Sequence, residues 1–475
     1  MGRLSRNILF VLLVLGIVLR IREYAACPSY WYDEAYLLLN VFHKSFSDLL
    51  GPLRDNQAAP PLFLWLLRGL YRLAGRGEWW MRLPALTASM GGLLVMALLA
   101  PRIVGRRGSM WPVALCAFSH HAIAHASEVK PYALDFLMTE LIVWTTLRCQ
   151  AIVRIRRRRL AFYLLALLAP WASYPSAFVL GGASLALLAH ALPHRQAMQA
   201  KAHLRLACVV GGLTVLSSLV LWQVVCRHQA TSALHAFWKA SFLDLSSPSA
   251  AMRWTGCCLV EIGNYGTREM GLPFVVLALI GAASLRRRPA RLALLMAPLL
   301  LALFASALHL YPLGGRLLFF LVPCWWLLAA RGLDVLSRRM VVFPAWLGWV
   351  LPAALLAPAL LWTGQRLRAV TPRCQFREAF AYVAAHRKPG DRVWVSHPQV
   401  YEVYYGRPPH LSGYSSPARV EQAARKGRLW MVCAVAGSQE RYTAAETVAR
   451  VKAASSAFDR RRFRGLEVIL CGPRR

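Results

Sequence analysis

The chain has 475 residues, 57% of them hydrophobic and 16% charged, with a mean hydropathy of +0.42. This composition excludes a soluble enzyme, a disordered tail protein and a disulfide-stapled secreted domain, and it fits a series of membrane spans of about 20 residues each. The net charge of +35 comes from 56 Lys and Arg against 21 Asp and Glu; the cations sit in short clusters between apolar runs rather than on one polar face, which argues against nucleic acid as a partner.

In chain order, apolar runs lie at 8–26, 83–100, 109–126, 131–147, 160–173, 176–192, 206–226, 271–285, 292–308, 317–330 and 341–362. They predict about 11 transmembrane helices. The first run resembles a signal peptide in its opening, but Arg20, Arg22 and Glu23 separate its core from Ala25-Ala26-Cys27, so it reads as an uncleaved span. The segment 60–74 opens with Pro60-Pro61, carries Arg68 and Arg72, and is too short for a span; it predicts an amphipathic helix lying on the membrane surface. With 60–74 on the surface, Arg3/Arg6, Arg102/Arg106/Arg107, Arg148 with 154–159, Arg195/Lys201/Arg205, 286–288 with Arg291 and Arg331/Arg338/Arg339 all fall on the cytoplasmic side. With 60–74 crossing, the clusters from Arg102 onward face outward, against the positive-inside rule.

After Trp362 the long apolar runs stop. The alternation at 392–396 and, in part, at 429–435 predicts strands, and 377–386 and 440–455 predict helices. The tail from 366 to 475 reads as a small α/β domain outside the membrane. It contains Cys374, Cys433 and Cys471, where an oxidising compartment permits one disulfide. The 11 cysteines include no CxxC pair and read mainly as small apolar residues.

Three clusters carry candidate chemistry. The first is Tyr30-Trp31-Tyr32-Asp33-Glu34-Ala35-Tyr36, two adjacent carboxylates among aromatics just past a span. Asp33 reads either as a helix N-cap or as a catalytic carboxylate, and one residue can do both. The second is Ser127-Glu128-Val129-Lys130-Pro131-Tyr132, followed by Asp135. Glu128 and Asp135 share a face if both are helical, and Asp135 lies at the membrane boundary, where a carboxylate needs a partner or a wet cavity. Its bland alternative is an ion pair of Lys130 with Asp135 or Glu128. The third is His309-Leu310-Tyr311-Pro312-Leu313-Gly314-Gly315-Arg316, where Arg316 offers a fork suited to phosphate or snorkels to headgroups. Arg82 has the same two readings. His121 and His125, four apart, have metal-ligand spacing without a third ligand; the expected metal set is none. Trp238, Trp254 and Glu261, in the long loop 227–270, are candidate substrate contacts. All three clusters fall on the outer side of this topology. Carboxylates mixed with Lys and Arg suit transfer from a lipid-phosphate donor, in which cations hold the leaving phosphate and a carboxylate takes the acceptor's proton.

Asp33-Glu34-Ala35, Pro60-Pro61-Leu62, Arg82-Leu83-Pro84, Ser127-Glu128-Val129-Lys130 with Tyr132 and Asp135, and Tyr311-Pro312-x-Gly314-Gly315-Arg316, in this order, resemble the bacterial membrane glycosyltransferases of the GT-C superfamily. The group resembled is that of protein O-mannosyltransferases and aminoarabinose transferase, over roughly residues 8–335. The resemblance implies a polytopic α-helical enzyme with a juxtamembrane helix in the first outer loop, a catalytic domain over 1–365 and an α/β periplasmic domain over 366–475. It implies a polyprenyl-phosphate sugar as donor, a glycan, lipid or protein of the envelope as acceptor, and inversion at the sugar carbon. It carries base or acceptor-positioning roles onto Asp33, with Glu34 beside it and Glu128 in the second motif. Lys130 stands where many members have Arg, and Tyr132, Asp135, Arg316 and Arg82 join it in binding the donor. Some members use a divalent metal and others none; the mannosyltransferase-like ones need no cofactor. The implied location is the bacterial inner membrane, with a cytoplasmic N-terminus and a periplasmic C-terminal domain. Two other classes fit less well: a transporter or flippase of lipid-linked sugars, for which Glu140 is the one midplane candidate, and a membrane anchor presenting the tail as a binding module.

Overall fold

The computed structural model of the protein describes residues 3–473 apart from 107, 152, 154, 193–197, 340–346, 371 and 435–440. Arg107, Arg154, Arg195 and Glu440, and the first residues of the apolar run 341–362, therefore lie outside the described residues. The chain divides into two compact units, one built from Met1–Ala25 and Phe46–Ala369 and the other from Ala26–Ser45 and Val370–Arg475.

The first unit is helical. Among the described residues, four of its helices are long and apolar enough to cross a membrane: Glu78–Ile103, Met198–Gln229, Pro289–Ala307 and Gly315–Arg338. A fifth is added if Pro248–Thr267 and Gly271–Ser284, bent by 101°, are one broken span. The sequence count of about 11 is thus not reproduced as 11 clear spans. Ser176–Ala191 and Gly271–Ser284 are short, and Tyr132–Ala151 carries Asp135, Glu140 and Arg148. The segment 227–270, expected as a loop, contains the 20-residue helix Pro248–Thr267, started by Ser247, whose hydroxyl accepts from Ala250 N. The short helix expected at 60–74 forms over Pro61–Ala74, with proline in its first turn. It buries Phe63, Leu64 and Leu67 and leaves Leu66 and Leu73 exposed.

The apolar run 109–126 is not one helix. Met110–Phe118 stops at Ser119, and a short helix His120–Ala124 and the turn His125–Ser127 follow. Stopping a helix inside an apolar core strands its last carbonyls, which must find donors. Arg20 supplies them. It is fully buried and donates to Cys116 O (2.9 Å), Ala117 O (3.4 Å) and Gly16 O (2.9 Å), and through Nε to Ser89 Oγ (2.9 Å). Ser89 Oγ in turn donates to Ala122 O at 2.8 Å, across the break.

Elsewhere the unit packs through small residues. Helices Gly271–Ser284 and Val322–Arg339 cross where Gly281 and Gly332 face the opposite backbone. A Cβ at Gly281 would stand 1.9 Å from Leu328 O, and one at Gly332 2.0 Å from Leu277 O.

The second unit is α/β. Its strands are β1 (Arg392–Val395), β2 (Leu411–Ser412), β3 (Leu429–Ala434), β4 (Ser456–Phe463) and β5 (Leu466–Gly472), in the order β2-β1-β3-β5-β4. The β2-β1-β3 pairings are parallel and the β3-β5-β4 pairings antiparallel. Central strands β3 and β5 are apolar and buried, while edge strand β4 carries Arg460, Arg461 and Arg462, a composition that keeps an edge from pairing with other chains. Helix Tyr32–His43 belongs to this unit. It is fastened by Tyr36 Oη to His397 Nδ1 (3.1 Å), by Tyr30 N donating to Tyr404 Oη (2.8 Å) and by His43 to Glu402 (3.4 Å). Cys374, Cys433 and Cys471 are free, and burial pushes each thiol up.

Gly332→Leu is expected to destabilise the first unit by about 1–3 kcal/mol or more through overpacking at the crossing. The check is the thermal midpoint of the detergent-purified protein; an unchanged midpoint would contradict the close crossing.

Candidate active site

The second sequence cluster occupies the extended stretch that the helix break produces. Glu128 has φ −104° and ψ 128° and precedes helix Tyr132–Ala151, so it does not share a helical face with Asp135 as the spacing suggested. Its Oε2 lies 2.5 Å from His125 Nδ1, and His125 Nε2 lies 2.7 Å from Tyr265 Oη. His125 is boxed in by the rings of Tyr132 (5.0 Å) and Phe319 (5.1 Å). His121 stacks flat on Tyr265, with centroids 3.4 Å apart.

Lys130 is 5% exposed and donates from Nζ to Gln57 Oε1 at 2.7 Å. The loop that presents Gln57 is clamped at Ala59. Gln229 Oε1 accepts from Ala59 N (3.0 Å), and the Tyr174 hydroxyl lies 2.9 Å from both Ala59 O and Gln229 Oε1. The amide oxygen fixes the position of the ammonium.

The third cluster is built by close approach. A Cβ at Gly314 would meet Ser241 Oγ at 2.5 Å, and Gly315 sits at φ +52°, where side chains are disfavoured. Glu261 Oε1 accepts from Gly315 N at 2.6 Å. Half-buried Arg316 lies over the rings of Tyr132 (5.8 Å) and Trp238 (5.7 Å), at the outer limit of a cation–π contact. Tyr311 donates to Leu317 O at 3.2 Å. Burial, with the charge of nearby Asp135 added, holds its hydroxyl well above the usual range. Asp135 itself is 8% exposed, and its Oδ1 has no hydrogen-bond partner among the described residues.

The structure therefore gathers Glu128, Lys130, Tyr132 and Arg316, with Asp135 beside Tyr311. Arg82 is buried and pairs with Glu78 at 3.1 Å. Asp33 and Glu34 stand in the second unit. Asp33 is 7% exposed and is not the cap: helix Tyr32–His43 starts after Trp31, and Glu34 Oε2 accepts from Trp31 N at 3.2 Å. Arg373 lies over the Trp31 ring at 4.2 Å. Among the described residues no three His, Cys, Asp or Glu side chains gather as a metal set. Sequence reasoning missed Gln57, Tyr265 and the true partner of His125. The spacing of three between His125 and Glu128 was the one available signal; Tyr265, 140 residues further on, offered none.

No family model matches the sequence, and comparison with curated proteins gives no match. By structure the chain is similar to ArnT from Cupriavidus metallidurans bound to undecaprenyl phosphate, with a TM-score of 0.56 and 14% identity over 98% of this chain and 97% of that one. The apo state of the same protein gives 0.55 at 14% identity over the same shares. The archaeal oligosaccharyltransferase AglB from Archaeoglobus fulgidus, in complex with an inhibitory peptide and a dolichol-phosphate, gives 0.52 at 12% identity over 98% and 74%. ArnT and AglB are GT-C superfamily members, and the chain shares their fold.

Gln57→Leu removes the amide acceptor of Lys130 and is expected to cost about 1–3 kcal/mol. Thermal unfolding in lipid nanodiscs checks this; an unchanged midpoint would mean that the bond contributes nothing.

Proposed function

We propose that the protein is a glycosyltransferase that moves a sugar from a polyprenyl-phosphate donor to a glycan, lipid or protein of the bacterial envelope, at the outer face of the inner membrane. The observation that carries this reading is a buried, amide-held Lys130 grouped with Glu128 and with Arg316 over Tyr132, on a GT-C fold. The fold neighbours support the donor class: one is bound to undecaprenyl phosphate and another to a dolichol-phosphate.

In this reading Lys130 and Arg316 neutralise the donor phosphate as it departs with the electrons of the sugar–oxygen bond. A carboxylate takes the proton of the attacking hydroxyl. Asp33 is assigned the base or acceptor-positioning role. Glu34 and Glu128 shape the site, and Tyr132, Asp135 and Arg82 complete the donor side. Attack opposite the departing phosphate inverts the sugar carbon. No metal is required, so EDTA leaves the rate unchanged. The shorter helices also cross, giving about 11 spans, with the N-terminus cytoplasmic and the α/β domain of 366–475 periplasmic. A transporter would work through Glu140, within electrostatic reach of Arg20, but Arg20 commits its donors to the broken helix.

The test uses purified protein in lipid with a panel of radiolabelled polyprenyl-phosphate sugars. Lys130→Met is expected to weaken donor binding at least tenfold. Asp33→Asn is expected to bind donor normally and to lose turnover at least 100-fold. Glu34→Gln, which keeps an oxygen for Trp31 N, is expected to lose less than Asp33→Asn. No wild-type turnover of any donor, with crude envelope acceptors present, would contradict the proposal; full turnover by Asp33→Asn would remove Asp33 from the mechanism.

A further inference from the structure

Helix Pro248–Thr267 reaches both halves of the site from one face. Glu261 and Tyr265 are four residues apart, so they stand one above the other on that face. Glu261 holds the Gly315 amide at 2.6 Å, immediately before Arg316. Tyr265 holds His125 at 2.7 Å, and His125 holds Glu128 at 2.5 Å. The three side chains of this arm are buried: His125 is 1% exposed, Glu128 6% and Tyr265 9%.

With Glu128 ionised and His125 neutral, the chemistry of the arm is fixed as follows. An ionised Glu128 only accepts, so His125 Nδ1 carries a proton and donates it. A neutral imidazole then presents an acceptor at Nε2, which the Tyr265 hydroxyl fills. The hydroxyl thus selects the ring tautomer that serves the carboxylate. Tyr132 and Phe319 prevent the ring from turning, and the flat stack of His121 fixes the plane of the tyrosine.

We propose that His125 and Tyr265 are positioning residues for sugar transfer: they lock the Glu128 carboxylate in one orientation and, through the shared helix face, set its spacing from Arg316. This rests on the reading that Glu128 lines the transfer site. Neither residue touches the reacting atoms in this account. Removing the Tyr265 hydroxyl, which touches none of the groups assigned to the donor, therefore lowers kcat while leaving donor binding unchanged.

The test is a double-mutant cycle on the full-length protein in lipid, with the donor that the wild type turns over. Tyr265→Phe keeps the ring stacked on His121 and removes the hydroxyl alone, so it is expected to fold, with a thermal midpoint lowered by no more than the loss of one buried hydrogen bond explains. Its kcat is expected to fall about tenfold with donor KM unchanged. His125→Leu is expected to fall further, and His125→Asn, whose amide can still donate to Glu128, to recover part of the loss. In the His125→Leu background Tyr265→Phe is expected to have no further effect, because the hydroxyl acts only through the imidazole. Wild-type kcat in Tyr265→Phe, or losses that multiply in the double variant, would overturn the positioning role while leaving the glycosyltransferase reading intact, provided that Lys130→Met and Glu128→Gln are impaired. Full activity in Glu128→Gln would overturn the premise and the proposal together.

Discussion

A helix that stops inside an apolar core strands carbonyl groups, and the arrangement of this site depends on how Arg20 answers them. An isolated buried guanidinium is costly, but this one exchanges its hydration for three carbonyls and a hydroxyl. Because the helix from Met110 stops at Phe118, the chain turns early through His125–Ser127 and runs extended past Glu128. A continuous helix would have carried Glu128 and Lys130 around its axis. The break instead aims one at His125 and the other at Gln57.

Around that break, each candidate group is held by a residue distant in sequence. Lys130 is held by Gln57, whose loop is tied to Gln229; Gly315 is held by Glu261, and His125 by Tyr265. Fixed partners orient these groups in advance, the kind of preorganisation that the proposed transfer would use. Glycines do the complementary work: close approach leaves no place for a side chain at Gly314, and a positive φ disfavours one at Gly315.

Much of this was legible in the sequence, and the physics explains which parts. The short helix at 61–74, strands β1 and β3, and the helix at 376–386 follow from periodicity and proline placement. The motif order pointed to the GT-C fold. Arg20 was misread as the polar end of the first span, because sequence gives no sign that a cation is wrapped by carbonyls 96 residues away. The break at Ser119 was invisible for the same reason: residues 109–126 are apolar enough to be read as a single helix. Strand β4 was missed because its three arginines suit an edge rather than a core. Helix Pro248–Thr267 was read as loop because its apolar and polar residues are mixed. Tyr265 therefore had no context until the fold supplied one.

The central claim is that a lipid phosphate is held between Lys130 and Arg316. The most direct measurement is an experimental structure of the protein in lipid with undecaprenyl phosphate added. The account predicts phosphate oxygens within hydrogen-bond reach of Lys130 Nζ and the Arg316 guanidinium, with Glu128 still bonded to His125. A phosphate bound elsewhere, with Lys130 still engaged only by protein groups such as Gln57, would contradict it.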